Sequence, residues 1–209
     1  IIHKNFIYNN FDVYSIVDID YWKGSFLVAT EMNGIFALQL ESEVYEQKIN
    51  ELNIRSIKVL FDENTLVISK DTPTNSIIFY NLEHDVISSA SNALSKDFEL
   101  SDDIISDKHG KSCFILGKSY SVHQPEKLLH CWKQDAAGVE FNNIDKMVSK
   151  NPIDNVYNTK LLRTDAAAAY IIGEKQNKVF IWVYSKSNLN AIPDEYILDV
   201  GHITYDDIK

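Results

Sequence analysis

"FLVATEMNGIFAL", Phe26 to Leu38, decides the fold. Two apolar runs flank Met32-Asn33-Gly34, and Asn and Gly are the residues that tolerate the positive φ of a tight turn between antiparallel strands. The stretch therefore reads as a hairpin with Asn33 and Gly34 at its turn. The question is whether the same unit returns further along the chain.

It does. β-branched and aromatic residues gather in short runs bounded by Gly, Asn, Asp and Ser, while the 3.6-residue spacing of helices is hardly sustained. In order, strands are expected near "SIVDIDY", "SFLVATE", "GIFALQL" and "VYEQKI", then "RSIKVLF", "TLVISK", "SIIFYNL" and "DVISSA". The pattern continues with "FELSDDIIS", "KSCFILG", "KLLHCWKQ" and "VEFNNI", and ends with "VYNTKLLRT", "AAYIIGE", "KVFIWVYS" and "EYILDV".

That is four sets of four strands. Aligning the third strand of each set brings Leu38, Tyr80, Trp132 and Trp182 into register, with separations of 42, 52 and 50 residues. Such periods match the four-stranded blades of a β-propeller, roughly 40 to 50 residues each. A β-sandwich also has short strands and frequent turns and is the competing fold. The periodicity favours an all-β, propeller-like domain of four recognisable blades over residues 1–209, part of a larger, about seven-bladed propeller and hence of a longer chain. Counterparts of the opening turn are expected at Lys70–Asn75, Lys118–Glu126 and Glu174–Asn177.

Composition narrows the function. With 209 residues, 45% hydrophobic and 24% charged, the chain is long enough to bury a core and too apolar to be disordered. A net charge of −10 argues against a phosphate-binding surface, so nucleic acid is not an expected partner. No apolar run reaches the roughly 20 residues needed to span a bilayer as a helix, and no membrane insertion is expected. The two cysteines, Cys113 and Cys131, are too few for a disulfide framework, which points to reduced thiols, and the expected location is the cytoplasm, including the cytosolic face of a membrane.

Two stretches carry a family resemblance. "GSFLVATEMNGIFALQL", Gly24 to Leu40, is similar to the strand–turn–strand of the citron homology (CNH) domain, with Ala29 in place of the Gly before Thr30 and Asn33 lengthening the turn. "IRSIKVLFDENTLVISKDTPTNSIIFYNL", Ile54 to Leu82, resembles the next blade of that family, Asp62-Glu63-Asn64 supplying its acidic turn. "KHGKSCF", Lys108 to Phe114, resembles a Lys-Gly-Cys segment of some members. The resemblance implies a WD40-like propeller with a non-catalytic regulatory role, as found in Rho-type exchange factors, some kinases, and endosomal and vacuolar tethering subunits.

Chemistry-bearing residues have plainer readings. His109, Cys113, His123, His130 and Cys131 supply nitrogen and sulfur but not metal-site spacing: adjacent His130 and Cys131 point to opposite faces of a strand. Asp18 and Asp20 share one face of a strand and imitate an acid–base pair, yet the same spacing describes a solvated face, as do Asp102-Asp103 and Asp206-Asp207. No Gly-x-Ser-x-Gly elbow and no phosphate-cradling loop occurs. Ala166 to Ala169 are expected as small residues packed where blades crowd the centre. No catalytic residue, cofactor or metal is therefore assigned.

The candidate interaction residues are Tyr21, Trp22 and Lys23, at a turn where exposed aromatics can anchor a partner. The alternative for Trp22 is that its ring closes the gap to the next blade. Trp132 and Trp182 belong to the core. The expected function is a protein-interaction propeller that serves a Rho- or Rab-type GTPase or membrane tethering. Its competitors are a scaffold propeller of a coat, nuclear-pore or similar assembly, and a propeller enzyme with a central-channel site.

Overall fold

The computed structural model describes residues 15–39, 44–72, 76–91, 98–119, 129–136, 138, 141–143, 159–175, 178–188 and 191–198. The expected turns at Lys70–Asn75, Lys118–Glu126 and Glu174–Asn177 fall partly or mostly outside them, as do His123 and the Asp206-Asp207 pair. The chain divides into two units, residues 1–93 and 94–209.

The first unit holds two four-stranded antiparallel sheets. One runs β1 (Ile16–Trp22), β2 (Ser25–Thr30), β3 (Gly34–Gln39), β4 (Val44–Ile49), and the other β5 (Ile54–Val59), β6 (Thr65–Lys70), β7 (Ile77–Asn81), β8 (Val86–Ser91). Each strand pairs with the next in sequence, so β1, β4, β5 and β8 are edges.

The opening hairpin is present, and its turn differs in one respect from expectation. Gly34 sits at φ 87°, while Asn33 does not adopt positive φ. Thr30 pairs with Gly34 across a loop of three residues, Glu31 to Asn33. The Thr30 hydroxyl donates to the Gly34 carbonyl at 2.9 Å and accepts from the Asn33 N–H at 3.0 Å. The single left-handed position falls on Gly34, the first residue of β3, and glycine is needed there. The two-residue turn with both positions at positive φ lies one hairpin earlier, at Lys23 (φ 41°) and Gly24 (φ 88°).

Cross-strand partners share a face, so the register shows how the sheets meet. Leu27 pairs with Ala37 and Ala29 with Ile35, and this face of the first sheet enters a buried cluster. From the second sheet the cluster takes Leu66, Ile68, Ile78 and Tyr80, the face defined by the Leu66–Tyr80 and Ile68–Ile78 pairs. Leu38, the register counterpart of Tyr80, pairs with Phe26 on the first sheet's other face. The sheets therefore stack with one face of the first against the opposite kind of face of the second. We call these the donor face (Leu27, Ala29) and the acceptor face (Leu66, Ile68).

The second unit repeats the rule. Its sheets are β9 (Phe98–Asp107), β10 (Ser112–Ser119), β11 (Leu129–Gln134), β12 (Phe141–Asn143), and β13 (Thr159–Thr164), β14 (Ala168–Lys175), β15 (Lys178–Ser185), β16 (Asp194–Ile197). Phe114, Leu129 and Cys131 of the third sheet pack with Ile171, Trp182 and Tyr184 of the fourth. Phe114 pairs with Cys131, one step beyond the Cys113–Trp132 pair, so the third sheet again contributes its donor face. Trp182 pairs with Ile171 on the fourth sheet's acceptor face. Trp132 and Trp182 are both fully buried, and the register that aligned them holds.

The alanine run behaves otherwise than expected. Ala166 and Ala167 are exposed in the β13–β14 turn, where the Asp165 carboxylate accepts the N–H groups of Ala167 and Ala168 at 2.8 and 2.9 Å. Only Ala168 and Ala169 are buried, as the first residues of β14. The run is a capped corner rather than central packing.

Gly34 should be the least replaceable residue of the first sheet. A Cβ there would lie 2.0 Å from the Ile49 carbonyl oxygen of β4, a backbone atom, and φ is already left-handed. Gly34→Ala should cost more than about 2 kcal/mol, the left-handed penalty alone being roughly 1–2. Gly24→Ala has positive φ and open space and should cost less. Denaturant melts of the two variants check the order.

Candidate functional site

The sequence-predicted residues meet at one corner of the first unit, where β1 turns into β2 beside β5. Trp22, the last residue of β1, is partly buried against the apolar cluster. Its indole N–H donates at 2.8 Å to the Glu63 carbonyl in the β5–β6 turn. Lys23 pairs with Glu83 of the β7–β8 turn at 2.5 Å and lies 5.8 Å from the Trp22 ring centre. Trp22 thus closes the gap to the second sheet, and Lys23 ties the corner to a further turn.

Tyr21 differs from both. It is 56% exposed, on the face of β1 opposite Trp22, with its ring edge-on to Phe26 at 5.7 Å. Of the three candidates, Tyr21 alone offers a large surface to a partner without surrendering a bond between the sheets.

Asp18 and Asp20 require a correction. They were expected on a solvated face; instead both are half-buried and bonded to the second sheet. Asp18 Oδ2 accepts the Ile57 N–H at 2.8 Å, and Asp20 Oδ2 accepts the Val59 N–H at 2.6 Å. β5 is an edge strand, so alternate N–H groups point away from β6 and need acceptors from elsewhere. Two carboxylates two residues apart on β1 match two N–H groups two residues apart on β5.

The same carboxylates also accept locally, Asp18 from the Ile19 N–H at 2.8 Å and Asp20 from the Tyr21 N–H at 2.9 Å. Lys58 approaches Asp20 at 3.2 Å. Burial raises the Asp18 pKa above its usual value, and the bonds from Ile57 and Ile19 offset part of that rise.

Three further aspartates lie at or just after the end of the first strand in the last three sets: Asp62, read in the sequence only as part of an acidic turn, and Asp107 and Asp165, which went unread. Asp62 accepts the Asn64 and Thr65 N–H groups at 3.1 and 2.9 Å and the Thr65 hydroxyl at 2.6 Å. Asp165 also accepts the Tyr170 hydroxyl at 2.6 Å, and that bond with those from Ala167 and Ala168 lowers its pKa to about 2. Asp107, whose side chain is 1% exposed, accepts the Ser112 hydroxyl and pairs with Lys186 at 2.6 Å. Lys186 also donates to the Asp165 carbonyl, which joins the third and fourth sheets at one point.

Among the described residues no group of three or more His, Cys, Asp or Glu is placed to hold a metal ion. Cys113 and Cys131 are not joined in a disulfide and lie on neighbouring strands but on opposite faces, since Cys113 pairs with Trp132 and Cys131 with Phe114. Burial pushes the Cys113 thiol well above its ordinary pKa, which removes the thiolate that metal binding or nucleophilic attack would need. His109 is an exposed turn residue.

Two sets of variants test these roles. Asp20→Ala should cost about 1–3 kcal/mol by orphaning the Val59 N–H, and Asp18→Asn, which keeps one acceptor oxygen but turns an NH2 toward either the Ile19 or the Ile57 N–H, should cost about 1 kcal/mol or more. Lys186→Met strips Asp107 of its counterion and should cost about 3–5 kcal/mol, most of it recovered in the Asp107→Asn/Lys186→Met double variant. Equilibrium melts of these four and of Asp107→Asn alone, which completes the double-variant cycle, give the answer.

No protein-family model and no curated protein matches the chain. Solved structures do. A chain of the Mitotic Checkpoint Complex superposes at TM-score 0.58 with 14% identity, covering 92% of this chain and 52% of its own. The β-propeller domain of Cps50 (Swd1) from Myceliophteria thermophila gives 0.53 with 7% identity, over 82% of this chain and 55% of that one. An auxiliary nutrient binding protein from Bacteroides thetaiotaomicron gives 0.54 with 12% identity, over 88% and 41%. At such identities the likeness speaks to fold alone. The chain spans about half the length of the structures it matches, and its four sheets are built as β-propeller blades.

Proposed function

We propose that this chain is a non-catalytic interaction segment of a larger propeller, serving a small GTPase of the Rho or Rab type or the tethering of endosomal and vacuolar membranes. The observation that carries the non-catalytic part is the fate of the carboxylates. Asp18, Asp20, Asp62, Asp107 and Asp165 all accept hydrogen bonds from backbone N–H groups, hydroxyls or lysine within their own unit. Acid–base work needs such a group within reach of a substrate, and these are committed to the blades.

The link to GTPases rests on the CNH-like stretches, which here form the β2–β3 hairpin and the β5–β7 strands. It implies a cytoplasmic protein acting at the cytosolic face of a membrane, with no cofactor. A scaffold role in a multiprotein assembly is the second reading; the likeness to a chain of the Mitotic Checkpoint Complex, an assembly by name, favours it.

The test is calorimetric binding of the folded chain to Rho- and Rab-type GTPases loaded with GDP or a GTP analogue. Nucleotide-dependent binding is expected. Tyr21→Ala should weaken it at least about fivefold, the effect of losing a contact worth 1 kcal/mol or more, with the melt unchanged. No binding to either nucleotide state by a cooperatively melting sample would reject the GTPase reading and leave the scaffold.

A further inference from the structure

Asn33 has a side chain that the fold does not use. Its φ is not positive, so the turn needs no asparagine for its backbone, and among the described residues its carboxamide makes no hydrogen bond. The residue is exposed. Its backbone is held instead: the N–H donates to the Thr30 hydroxyl at 3.0 Å, and the carbonyl accepts from Gln47 Nε2 of β4 at 2.9 Å.

The residue after it cannot be exchanged. Gly34 sits at φ 87°, and a Cβ there would lie 2.0 Å from the Ile49 carbonyl oxygen. The hairpin is therefore bound to keep a glycine behind Asn33, and this is the one Asn-Gly pair in the 209 residues. Without a Cβ, the Gly34 nitrogen is the least shielded kind of backbone amide that can approach a preceding carboxamide carbon.

We propose that Asn33 is a site of spontaneous deamidation in the folded hairpin, with the Gln47 bond setting its rate. The Gly34 nitrogen attacks Cγ of Asn33 and gives up its proton to water, a succinimide ring closes, and the side-chain nitrogen leaves as ammonia. Water then opens the ring at either carbonyl, leaving aspartate or isoaspartate. No oxidant, reductant or cofactor enters. The attack requires the Asn33–Gly34 peptide plane to turn about the Asn33 Cα–C bond. That plane carries the carbonyl that Gln47 holds, so the turn must break the Gln47 bond. Both products add a negative charge beside Glu31. Isoaspartate also lengthens the backbone by a methylene inside the loop closed by the Thr30–Gly34 pair, which weakens the first sheet. This goes beyond the proposed function, which asks nothing of Asn33.

Peptide mapping by mass spectrometry of the folded chain held at neutral pH provides the test, with an isoaspartyl O-methyltransferase assay for the iso product. Conversion is expected at Asn33, while Asn50 and Asn53, exposed but followed by Glu51 and Ile54, stay intact. Gln47→Ala should speed the conversion at least about fivefold, the effect of freeing a hydrogen bond worth about 1 kcal/mol. Asn50 and Asn53 report any general loosening of the unit and should be unchanged in that variant. An Asn33 still intact in the folded chain, over a time in which the chain unfolded in urea has converted there, would overturn the site. A Gln47→Ala rate equal to the parent's, or one raised equally at all three asparagines, would overturn the restraint.

Discussion

The hydrogen bonds from β5 to Asp18 and Asp20 are the constraint on which the first unit depends. β5 is an edge strand set against β1, and its outward N–H groups have no ladder partner. Water cannot reach them well, and an unpaired N–H there costs as much as a lost hydrogen bond. Carboxylates repeating every second residue on one strand meet N–H groups repeating every second residue on another because both share the same pleat. A slip by one residue would turn both aspartates to the opposite face, so the clamp fixes register as well as satisfying the edge. The cost is visible in Asp18, whose burial raises its pKa even with two N–H groups bonded to it.

The sixteen strands among the described residues were legible because most are short runs of β-branched and aromatic residues closed off by turn formers. The register residues were legible because apolar side chains at a fixed place in each repeat have one destination. What escaped was what polar residues do between sheets. Alternation with Val17, Ile19 and Tyr21 says that Asp18 and Asp20 share a face; it does not say which face is covered. Here the apolar side of β1 is the exposed one and the charged side lies against β5, the reverse of the usual pattern, because backbone edges rather than side chains await the aspartates there.

The turn errors have a similar origin. Asn33-Gly34 looks like a two-residue hairpin turn, but Thr30 already pairs with Gly34, leaving three residues in the loop and a single left-handed position. The alanine run looks like packing until Asp165 is seen to hold the corner through Ala167 and Ala168. In both, a side-chain hydroxyl or carboxylate acting on nearby backbone decides the geometry, and such local bonds compete with whatever composition suggests. Trp22 was open in the sequence between anchor and gap-filler. The Glu63 carbonyl decides it, since an indole N–H spent on the neighbouring sheet fixes the ring in place.

These placements bear on what the surface can do. Several polar side chains, Asp18, Asp20, Asp107 and Lys186 among them, are taken up by bonds between neighbouring sheets. On β1 the exposed side is apolar: Val17, Ile19 and Tyr21 form a stripe with no cover among the described residues. A flat apolar stripe on a sheet selects for another extended, apolar surface, and it does so without any reacting group being near. Asp18, Asp20, Asp62, Asp107 and Asp165 are held by bonds within and between sheets, whereas Val17, Ile19 and Tyr21 stay open to contact.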